Sequence, residues 1–302
     1  MTTTTPKIGI IGVGLMGHGI ALNILKAGYP LVMLDHPGNQ PADDLTRLGA
    51  AKKGSALEVA RAADMIILCV TGTPQVEDVL YRQDGVLAGL QPGAIVIDCS
   101  TAIPSSTLKV AADVVAAGGR FLDAPMTRTP KEAAEGRLNL IVGGALDDFQ
   151  QCLPVFQSYA ENIVHAGPVG SGHQLKLLHN FVSLGFSAVI SEAAACAQQA
   201  GLAPETLVDV LAAGGGKGVV LDRLTPYILN KDPSGFRFSL SNALKDMTYY
   251  SAMASTLGAF HQTADAVKAT YQVANKVSEI LPVPELISIL AQPAQAGETP
   301  IA

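Results

Sequence analysis

Three glycines near the start of the chain have the spacing of a phosphate-binding turn. They follow the apolar run Ile8–Ile11 and precede a helical pattern, in the order G-x-G-x-x-G. In such a turn the first glycine allows the tight bend, the second lets the backbone approach a pyrophosphate, and the third lets the helix pack against the strand. The helix N-terminus then offers N–H groups and the positive end of its dipole to the phosphates. The predicted cofactor-binding residues of this turn are Gly12, Gly14, Leu15, Met16 and Gly17.

An acidic residue follows the second apolar run and bears on the choice of cofactor. Asp35 comes directly after Leu31–Leu34 and 18 positions after Gly17, close to the spacing of about 20 in dinucleotide sites. A carboxylate there accepts hydrogen bonds from ribose hydroxyls and repels a 2′-phosphate. Because no arginine occurs in the next residues, His36–Asn39, the pattern favours NAD over NADP.

Further polar and small residues occupy loops at the carboxyl ends of later apolar runs. The apolar run that begins at Met65 ends at Val70 and is followed by Thr71, and Thr101 follows shortly after Ile95–Cys99. Ligands bind at the carboxyl ends of strands in doubly wound sheets. We therefore expect Val70, Thr71 and Thr101 to contact the cofactor.

These residues need elements to position them, and the first half of the chain alternates short β-branched runs with amphipathic stretches. This alternation predicts an α/β fold with a doubly wound parallel sheet. From Gly170 onward no strand-like run occurs, and the absence of proline between Val169 and Ala203 predicts a helix of about 30 residues, roughly 45 Å long. The sequence thus predicts a nucleotide-binding domain over 1–167, and a long connecting helix with an all-helical domain over 168–302.

Composition argues against a nucleic-acid partner. The 302 residues include 20 basic and 26 acidic side chains, a net charge of −6, and aromatic residues make up 5% with no tryptophan. Nucleic-acid binding requires a basic excess or stacking platforms, so we expect no nucleic-acid partner.

The four cysteines form no CxxC pair and no metal-ligand spacing: they are Cys69, Cys99, Cys152 and Cys196. We therefore expect reduced thiols and no metal site. The N-terminus has no apolar signal-peptide pattern, and the apolar stretch from Phe181 to Ala200 contains enough serine, glutamine and glutamate that we expect no membrane span. These features together predict a cytoplasmic protein.

Beyond single motifs, the chain from Lys7 to Leu290 resembles the β-hydroxyacid dehydrogenases, the family of 3-hydroxyisobutyrate dehydrogenase and tartronate semialdehyde reductase. The likeness lies in five segments that occur in the family's order: Gly12–Gly17, Asp98–Thr101, Asp123–Pro130, Gly170–Asn180 and Lys245-Asp246. Such enzymes combine an N-terminal Rossmann domain, a long interdomain helix and a C-terminal helical domain. The resemblance therefore implies the same architecture as the pattern of elements.

The resemblance also implies roles for three side chains. Lys176 matches the family's catalytic lysine, and Asn180 matches the asparagine that helps to hold the substrate and that lysine. A lysine can exchange a proton with the reacting oxygen and stabilise negative charge on it, and a spacing of four residues places Lys176 and Asn180 on one helical face. Lys245 matches the lysine that reaches the cofactor from the helical domain. Alternatively, Lys245 is a surface lysine that pairs with Asp246.

One segment departs from the family pattern. After Asp-Ala-Pro the family has Val-Ser-Gly-Gly, whose serine and backbone hold the substrate carboxylate, whereas here Met126 is followed by Thr127, Arg128 and Thr129. The planar guanidinium of arginine suits a bidentate oxyanion, and an Arg-Thr pair at this place resembles the sulfolactaldehyde reductases. We expect these three residues to bind the substrate; the alternative for Arg128 is a structural salt bridge.

The sequence as a whole predicts an NAD-dependent 3-hydroxyacid dehydrogenase or small anionic aldehyde reductase. Candidate substrates are 3-hydroxyisobutyrate, tartronate semialdehyde and sulfolactaldehyde. An imine reductase of related fold and a non-catalytic NAD-binding module are the alternatives. Because the long helix is apolar on several sides and family members associate, we expect a homodimer or homotetramer.

Overall fold

The computed structural model describes residues 5–292. The chain divides into two compact units, Met1–Lys176 and Leu177–Ala302. This boundary lies inside the long helix, nine residues after the predicted domain boundary at 167.

The first unit is built on one nine-stranded sheet whose strands are β1 Ile8–Ile11, β2 Leu31–Leu34, β3 Ala51–Lys53, β4 Met65–Leu68, β5 Ile95–Asp98, β6 Arg120–Asp123, β7 Met126–Thr127, β8 Leu138–Gly143 and β9 Ala160–Gly167. The order along the sheet is β3-β2-β1-β4-β5-β6-β8-β7, and β9 also pairs with β8. Strands β1 to β6 are mutually parallel. Their order on either side of β1 is that of a doubly wound nucleotide-binding fold, as the sequence predicts.

The sheet is not parallel throughout. Strand β8 runs antiparallel to both β6 and β7, and β9 then pairs parallel with β8. The two-residue strand β7 and the polar edge strand β3 have no counterpart among the predicted strands. Both are too short, and β3 is too exposed, to produce an apolar run.

Helices cover both faces of this sheet: α1 Gly17–Lys26, α2 Asp43–Arg47, α3 Ala56–Arg61, α4 Thr73–Tyr81, α5 Val86–Gly89, α6 Pro104–Ala116, α7 Pro130–Ala134 and α8 Leu146–Tyr159. One apolar cluster joins alternate strand residues such as Ile8 and Met33 to α1 and α8, and a second joins residues such as Ile11 and Leu34 to α3, α4 and α6. The strands are therefore buried on both sides, which explains their continuous apolar sequences.

The second unit is helical throughout its described residues. After α9, which spans Ser171–Gln199, the helices are α10 Pro204–Ala213, α11 Val219–Asn230, α12 Leu240–Thr256, α13 Gln262–Val277 and α14 Leu286–Leu290. The glycine-rich run over residues 214–218 connects α10 to α11. Inside this unit the buried Tyr271 hydroxyl donates to the Leu184 carbonyl at 2.9 Å.

The long helix α9 also meets the length and composition criteria of a membrane span. Its most apolar 18 residues have a mean hydropathy of 1.3, and 56% of that window is buried inside the protein. The prediction that this stretch is too polar to span a bilayer is therefore not supported by composition. Its burial is typical of a core helix.

Candidate active site

The glycine turn between β1 and α1 has the shape that a pyrophosphate requires. Gly12 has a φ of +97°, and a Cβ there would lie 2.3 Å from the Cys69 carbonyl oxygen. A Cβ on Gly17 would lie 2.0 Å from the Gly12 carbonyl oxygen, whereas one on Gly14 would have no neighbour within 4 Å. Two glycines are thus required by the fold itself, and the third lies beside open space that suits a ligand. The turn fits a dinucleotide phosphate.

The remaining predicted cofactor residues of the first unit follow neighbouring parallel strands. Asp35 follows β2, Val70 and Thr71 follow β4, and Thr101 follows β5. Since β2, β1, β4 and β5 are adjacent and parallel, these residues lie along one carboxyl edge together with the glycine turn. The Val70 N–H donates to the Ser100 hydroxyl at 3.1 Å, which links two of these loops.

Asn39, which the sequence analysis did not single out, links the loop after β2 to the glycine turn. Its side-chain oxygen accepts from the Val13 N–H at 3.2 Å, and its amide nitrogen donates to the Leu34 carbonyl at 2.8 Å. The Gln40 N–H also donates to the Val13 carbonyl at 2.8 Å. Asparagine shortly after a strand is a common turn residue, but its partner could not be identified from sequence.

A cation lies beside Asp35. The Lys52 ammonium of strand β3 is 3.3 Å from one Asp35 carboxylate oxygen, and about half of each side chain is exposed. This partner of Asp35 comes from the neighbouring strand β3 and not from the residues that directly follow Asp35.

The first turn of α9 is fixed to the first unit by a buried carboxylate. Asp123, at the end of β6, accepts from the Gly170 N–H at 2.7 Å and from the His173 N–H at 2.8 Å. Carboxylates stabilise helix N-termini in this way. A Cβ on Gly172 would lie 2.4 Å from the Ile141 carbonyl oxygen, so the helix approaches the sheet as closely as glycine permits.

The His173 ring is buried within the same unit. Its Nδ1 lies 2.8 Å from the Thr107 hydroxyl, and its Nε2 lies 3.2 Å from the Ser100 carbonyl. Asp98 lies 3.9 Å from this ring, and burial raises the pKa of the Asp98 carboxyl. His173 and its neighbours therefore form a buried polar cluster that orients the start of α9.

This attachment places Lys176 against the segment that departs from the family pattern. The Lys176 ammonium donates to the Met126 carbonyl at 2.7 Å. Met126 immediately precedes Thr127, Arg128 and Thr129. The structure thus brings the predicted catalytic lysine and the predicted substrate segment together, although they are 50 positions apart.

The two threonines of this segment make different contacts. Thr127 lies on β7, and its hydroxyl accepts from the Asn139 side chain at 3.0 Å. Thr129 caps α7, where its hydroxyl donates to Glu132 at 2.5 Å and its N–H donates to the same carboxylate at 3.0 Å. The two bonds lower the pKa of the Glu132 carboxyl, and the bond from the Thr129 hydroxyl makes the larger contribution. The Thr129 hydroxyl is therefore part of a helix cap.

Arg128 has a left-handed backbone, with a φ of +82°, at the place where the family pattern has glycine. Its Nη1 donates to the Glu161 carboxylate at 2.5 Å and to the Arg137 carbonyl. Among residues 5–292 its Nε and Nη2 have no hydrogen-bond partner. The structural salt bridge considered as an alternative is thus present, and it engages one of the three guanidinium nitrogens.

In the second unit, Asn180 and Lys245 both lie next to Asp246. The Asn180 amide nitrogen donates to Asp246 at 2.6 Å, and its oxygen is 2.9 Å from the His179 ring. The Lys245 ammonium is 3.4 Å from the other Asp246 carboxylate oxygen. Asn180 and Asp246 are buried, so this aspartate fixes the orientation of the Asn180 amide.

Two of the four cysteines lie in surroundings that disfavour the thiolate form. Within residues 5–292 no group of three or more potential ligands could hold a metal ion, and the four cysteines are free thiols. Burial raises the pKa of Cys69 and of Cys152 to about 12. Both thiols stay protonated, and so weakly nucleophilic, at neutral pH.

Family models match both parts of the chain. The NAD-binding domain of 6-phosphogluconate dehydrogenase matches residues 7–167, and the NAD-binding domain of NADP-dependent 3-hydroxyisobutyrate dehydrogenase matches residues 170–279.

Individual proteins are similar over most of their length. An uncharacterised oxidoreductase of Synechocystis sp. is 35% identical over 80% of this chain and 83% of its own. The NAD-dependent L-serine dehydrogenase of Pseudomonas aeruginosa is 33% identical over 73% of this chain and 74% of its own. The structure of Mycobacterium tuberculosis 3-hydroxyisobutyrate dehydrogenase with L-serine superposes with a TM-score of 0.85 and 26% identity, covering 96% of this chain and all of that one.

Proposed function

The chain belongs to the β-hydroxyacid dehydrogenase family of NAD(P)-dependent oxidoreductases, and from that premise we propose that it interconverts a three- or four-carbon 3-hydroxy acid and its aldehyde, with NAD as the cofactor. The observation that carries the proposal is the 2.7 Å hydrogen bond from the Lys176 ammonium to the Met126 carbonyl. It supports the proposal because the Lys176 ammonium lies directly beside the predicted substrate segment.

Lys176 exchanges the proton in this scheme. In oxidation the substrate carbon loses a hydride while its hydroxyl loses a proton, and bound NAD supplies the hydride acceptor. The neutral amine of Lys176 takes the hydroxyl proton directly or through one water, and in reduction the ammonium returns it to the carbonyl oxygen. The ammonium also stabilises negative charge on that oxygen. Asn180, one helical turn further along α9, is the proposed second polar contact for the substrate.

Arg128 is the proposed contact for the anionic end of the substrate. Its Nη1 is engaged by Glu161 and the Arg137 carbonyl, which leaves the Nε–Nη2 edge of the fork to bind two oxygens of a carboxylate or sulfonate. Thr127 and Thr129 flank Arg128 in the sequence, and the capping bonds of Thr129 fix the backbone directly after the arginine. These contacts support a small substrate with one anionic group.

NAD is the preferred cofactor in this proposal. Asp35 follows β2 at the position from which a carboxylate receives the ribose hydroxyls, and the glycine turn has the shape for the pyrophosphate. Val70, Thr71, Thr101 and Lys245 are the remaining proposed cofactor contacts.

A substrate panel tests the reaction class. Oxidation with NAD is measured for 3-hydroxyisobutyrate, glycerate and L-serine, and reduction with NADH for tartronate semialdehyde and sulfolactaldehyde. L-serine enters the panel because a relative and a similar solved structure carry it in their names. Turnover of a cyclic imine with no turnover of any hydroxy acid or aldehyde would identify the imine reductase alternative. Binding of NADH with no turnover across the panel would support the non-catalytic alternative.

Replacement of Lys176 tests the mechanism. We expect Lys176→Ala to lower kcat by about 10²–10⁴-fold, the usual contribution of a general acid-base group, with NADH binding retained. Lys109→Ala removes an exposed lysine of α6 and serves as the matched control. Near-normal turnover by Lys176→Ala would show that another group transfers the proton.

We also propose that the protein is a cytoplasmic homodimer or homotetramer without nucleic-acid or membrane partners. Helix α10 supports self-association because none of its residues is buried, although it contains Leu207, Val208, Val210 and Leu211. A second copy of the chain would remove this apolar surface from water.

A further inference from the structure

The pairing of Asp35 with Lys52 follows from the register of the two outermost parallel strands. Lys52 of β3 pairs with Met33 of β2, and the ladder continues through a 2.8 Å bond from the Asp35 N–H to the Lys53 carbonyl. Successive residues of a strand point to opposite faces, so Met33 and Asp35 share one face. Lys52 projects from that face beside them, and its ammonium reaches the Asp35 carboxylate at 3.3 Å.

This face of the sheet is the one on which α1 packs. Met33 belongs to the same apolar cluster as Ile20 and Ile24 of α1, and α1 begins at the glycine turn. Lys52 therefore lies on the side of the sheet from which the turn and Asp35 would hold the adenosine half of a dinucleotide. Lys53, whose partner Leu34 belongs to the other cluster, projects from the opposite face.

The pair has a consequence for a 2′-phosphate. A lone carboxylate repels this group, whereas an ammonium within ion-pair distance of the carboxylate offsets the repulsion and can itself donate hydrogen bonds to phosphate oxygens. Both side chains are about half exposed, and such exposed pairs contribute little to folding stability. The four-carbon stem of lysine lets the ammonium move from the carboxylate to a phosphate.

We propose that Lys52 is a determinant of cofactor specificity, through which this chain binds NADP(H) as well as NAD(H). The proposal rests on the nucleotide site described above but not on the identity of the substrate or on Lys176. Asp35 favours the free ribose hydroxyls of NAD, and Lys52 provides the cation for the phosphate of NADP. The ratio of the two affinities is set by this pair.

Equilibrium binding to the full-length protein without substrate tests the assignment. NADH and NADPH are titrated separately, with nicotinamide fluorescence as the readout, into the wild type, Lys52→Gln, Lys52→Glu and the matched control Lys53→Gln. We expect the wild type to bind both nucleotides. Lys52→Gln should raise the ratio of the NADPH to the NADH dissociation constant by about tenfold, as for loss of one charged contact. Lys52→Glu should raise it further, and Lys53→Gln should change it less than threefold.

Three results would overturn the proposal. The wild type could bind NADH but not NADPH, or Lys52→Gln could change the dissociation constants of both nucleotides equally. Lys53→Gln could also shift the ratio of the two constants as much as Lys52→Gln does, which would assign the effect to the overall charge of strand β3. Failure of the proposed reaction alone would give a different result. NADH would still bind, and the ratio of the NADPH to the NADH dissociation constant would still respond to Lys52, but no substrate would be turned over.

Discussion

Arg128 has both a left-handed backbone and a guanidinium that is only partly engaged. A non-glycine residue with a φ of +82° costs roughly 1–2 kcal/mol, and the same residue forms an ion pair with Glu161 that leaves its Nε and Nη2 without partners among residues 5–292. The Glu161 contact lowers the pKa of that carboxyl. Glu161 therefore remains ionised through the neutral range, and Arg128 keeps its partner there. A strained backbone held by such contacts is common at ligand sites.

Arg128 variants separate substrate binding from structure. We expect Arg128→Ala to lower kcat/KM by roughly 10²-fold for an anionic substrate, because a charged hydrogen bond contributes about 1.5–3 kcal/mol, and to have little effect on a neutral aldehyde of similar size. Arg128→Lys should recover part of the loss, since lysine lacks the planar fork.

Arg128→Gly is the informative control, because glycine adopts a positive φ without strain. A loss with Arg128→Gly as large as that with Arg128→Ala would exclude backbone strain as its cause. Equal losses for charged and neutral substrates would instead show that Arg128 acts through its salt bridge with Glu161.

At the scale of elements, the first turn of α9 determines where Lys176 lies. The Asp123 carboxylate is fully buried and accepts two backbone N–H bonds from this turn, and the His173 ring lies within the same buried cluster. Lys176 is one turn further along the helix. Its position thus depends on a contact between the end of β6 and the start of α9.

Replacement of Asp123 by asparagine tests this dependence. An amide can accept one of the two N–H bonds but presents a donor to the other, so we expect Asp123→Asn to reduce the free energy of unfolding by about 1–3 kcal/mol. We also expect a fall in kcat that exceeds any change in the NADH dissociation constant. Asp113→Asn, which alters an exposed carboxylate of α6, is the control for denaturant unfolding and kinetics. Unchanged stability and turnover would show that α9 is held by its apolar contacts alone.

At the scale of the molecule, apolar surface remains on the second unit. Val210 of α10 is 65% exposed, and Val182 and Val189 of α9 are 68% and 62% exposed. Contact with a second copy of the chain would remove these side chains from water, which is consistent with the proposed self-association.

We expect light scattering after size exclusion to give two or four times the chain mass of 31.2 kDa. Val210→Asp should shift the distribution toward the monomer, because it places a charge within the proposed interface. Val115→Asp, at a similarly exposed valine of α6, should leave the mass unchanged. A wild-type mass near 31.2 kDa at micromolar concentration would contradict the proposed self-association.

The sequence by itself determined the features that depend on short-range patterns. The glycine spacing requires a turn between a strand and a helix, and the apolar runs of β1, β2, β4 and β5 identify strands buried on both faces. The carboxyl ends of these strands then place Asp35, Thr71 and Thr101 at one edge, because parallel strands share a direction. Comparisons with known proteins confirm the family and the fold that these patterns and the resemblance predicted.

Tertiary structure alone decided which strands are neighbours and which side chains meet across them. The sequence of β8 does not show that it runs antiparallel to β6, and β3 is a polar edge strand held by backbone bonds to β2. The contacts of Lys52 with Asp35, Arg128 with Glu161, and Lys176 with Met126 join residues that are 17, 33 and 50 positions apart. Side-chain periodicity reports which face of an element is buried. Pairing between elements depends on backbone hydrogen bonds and packing that form only when the whole sheet assembles.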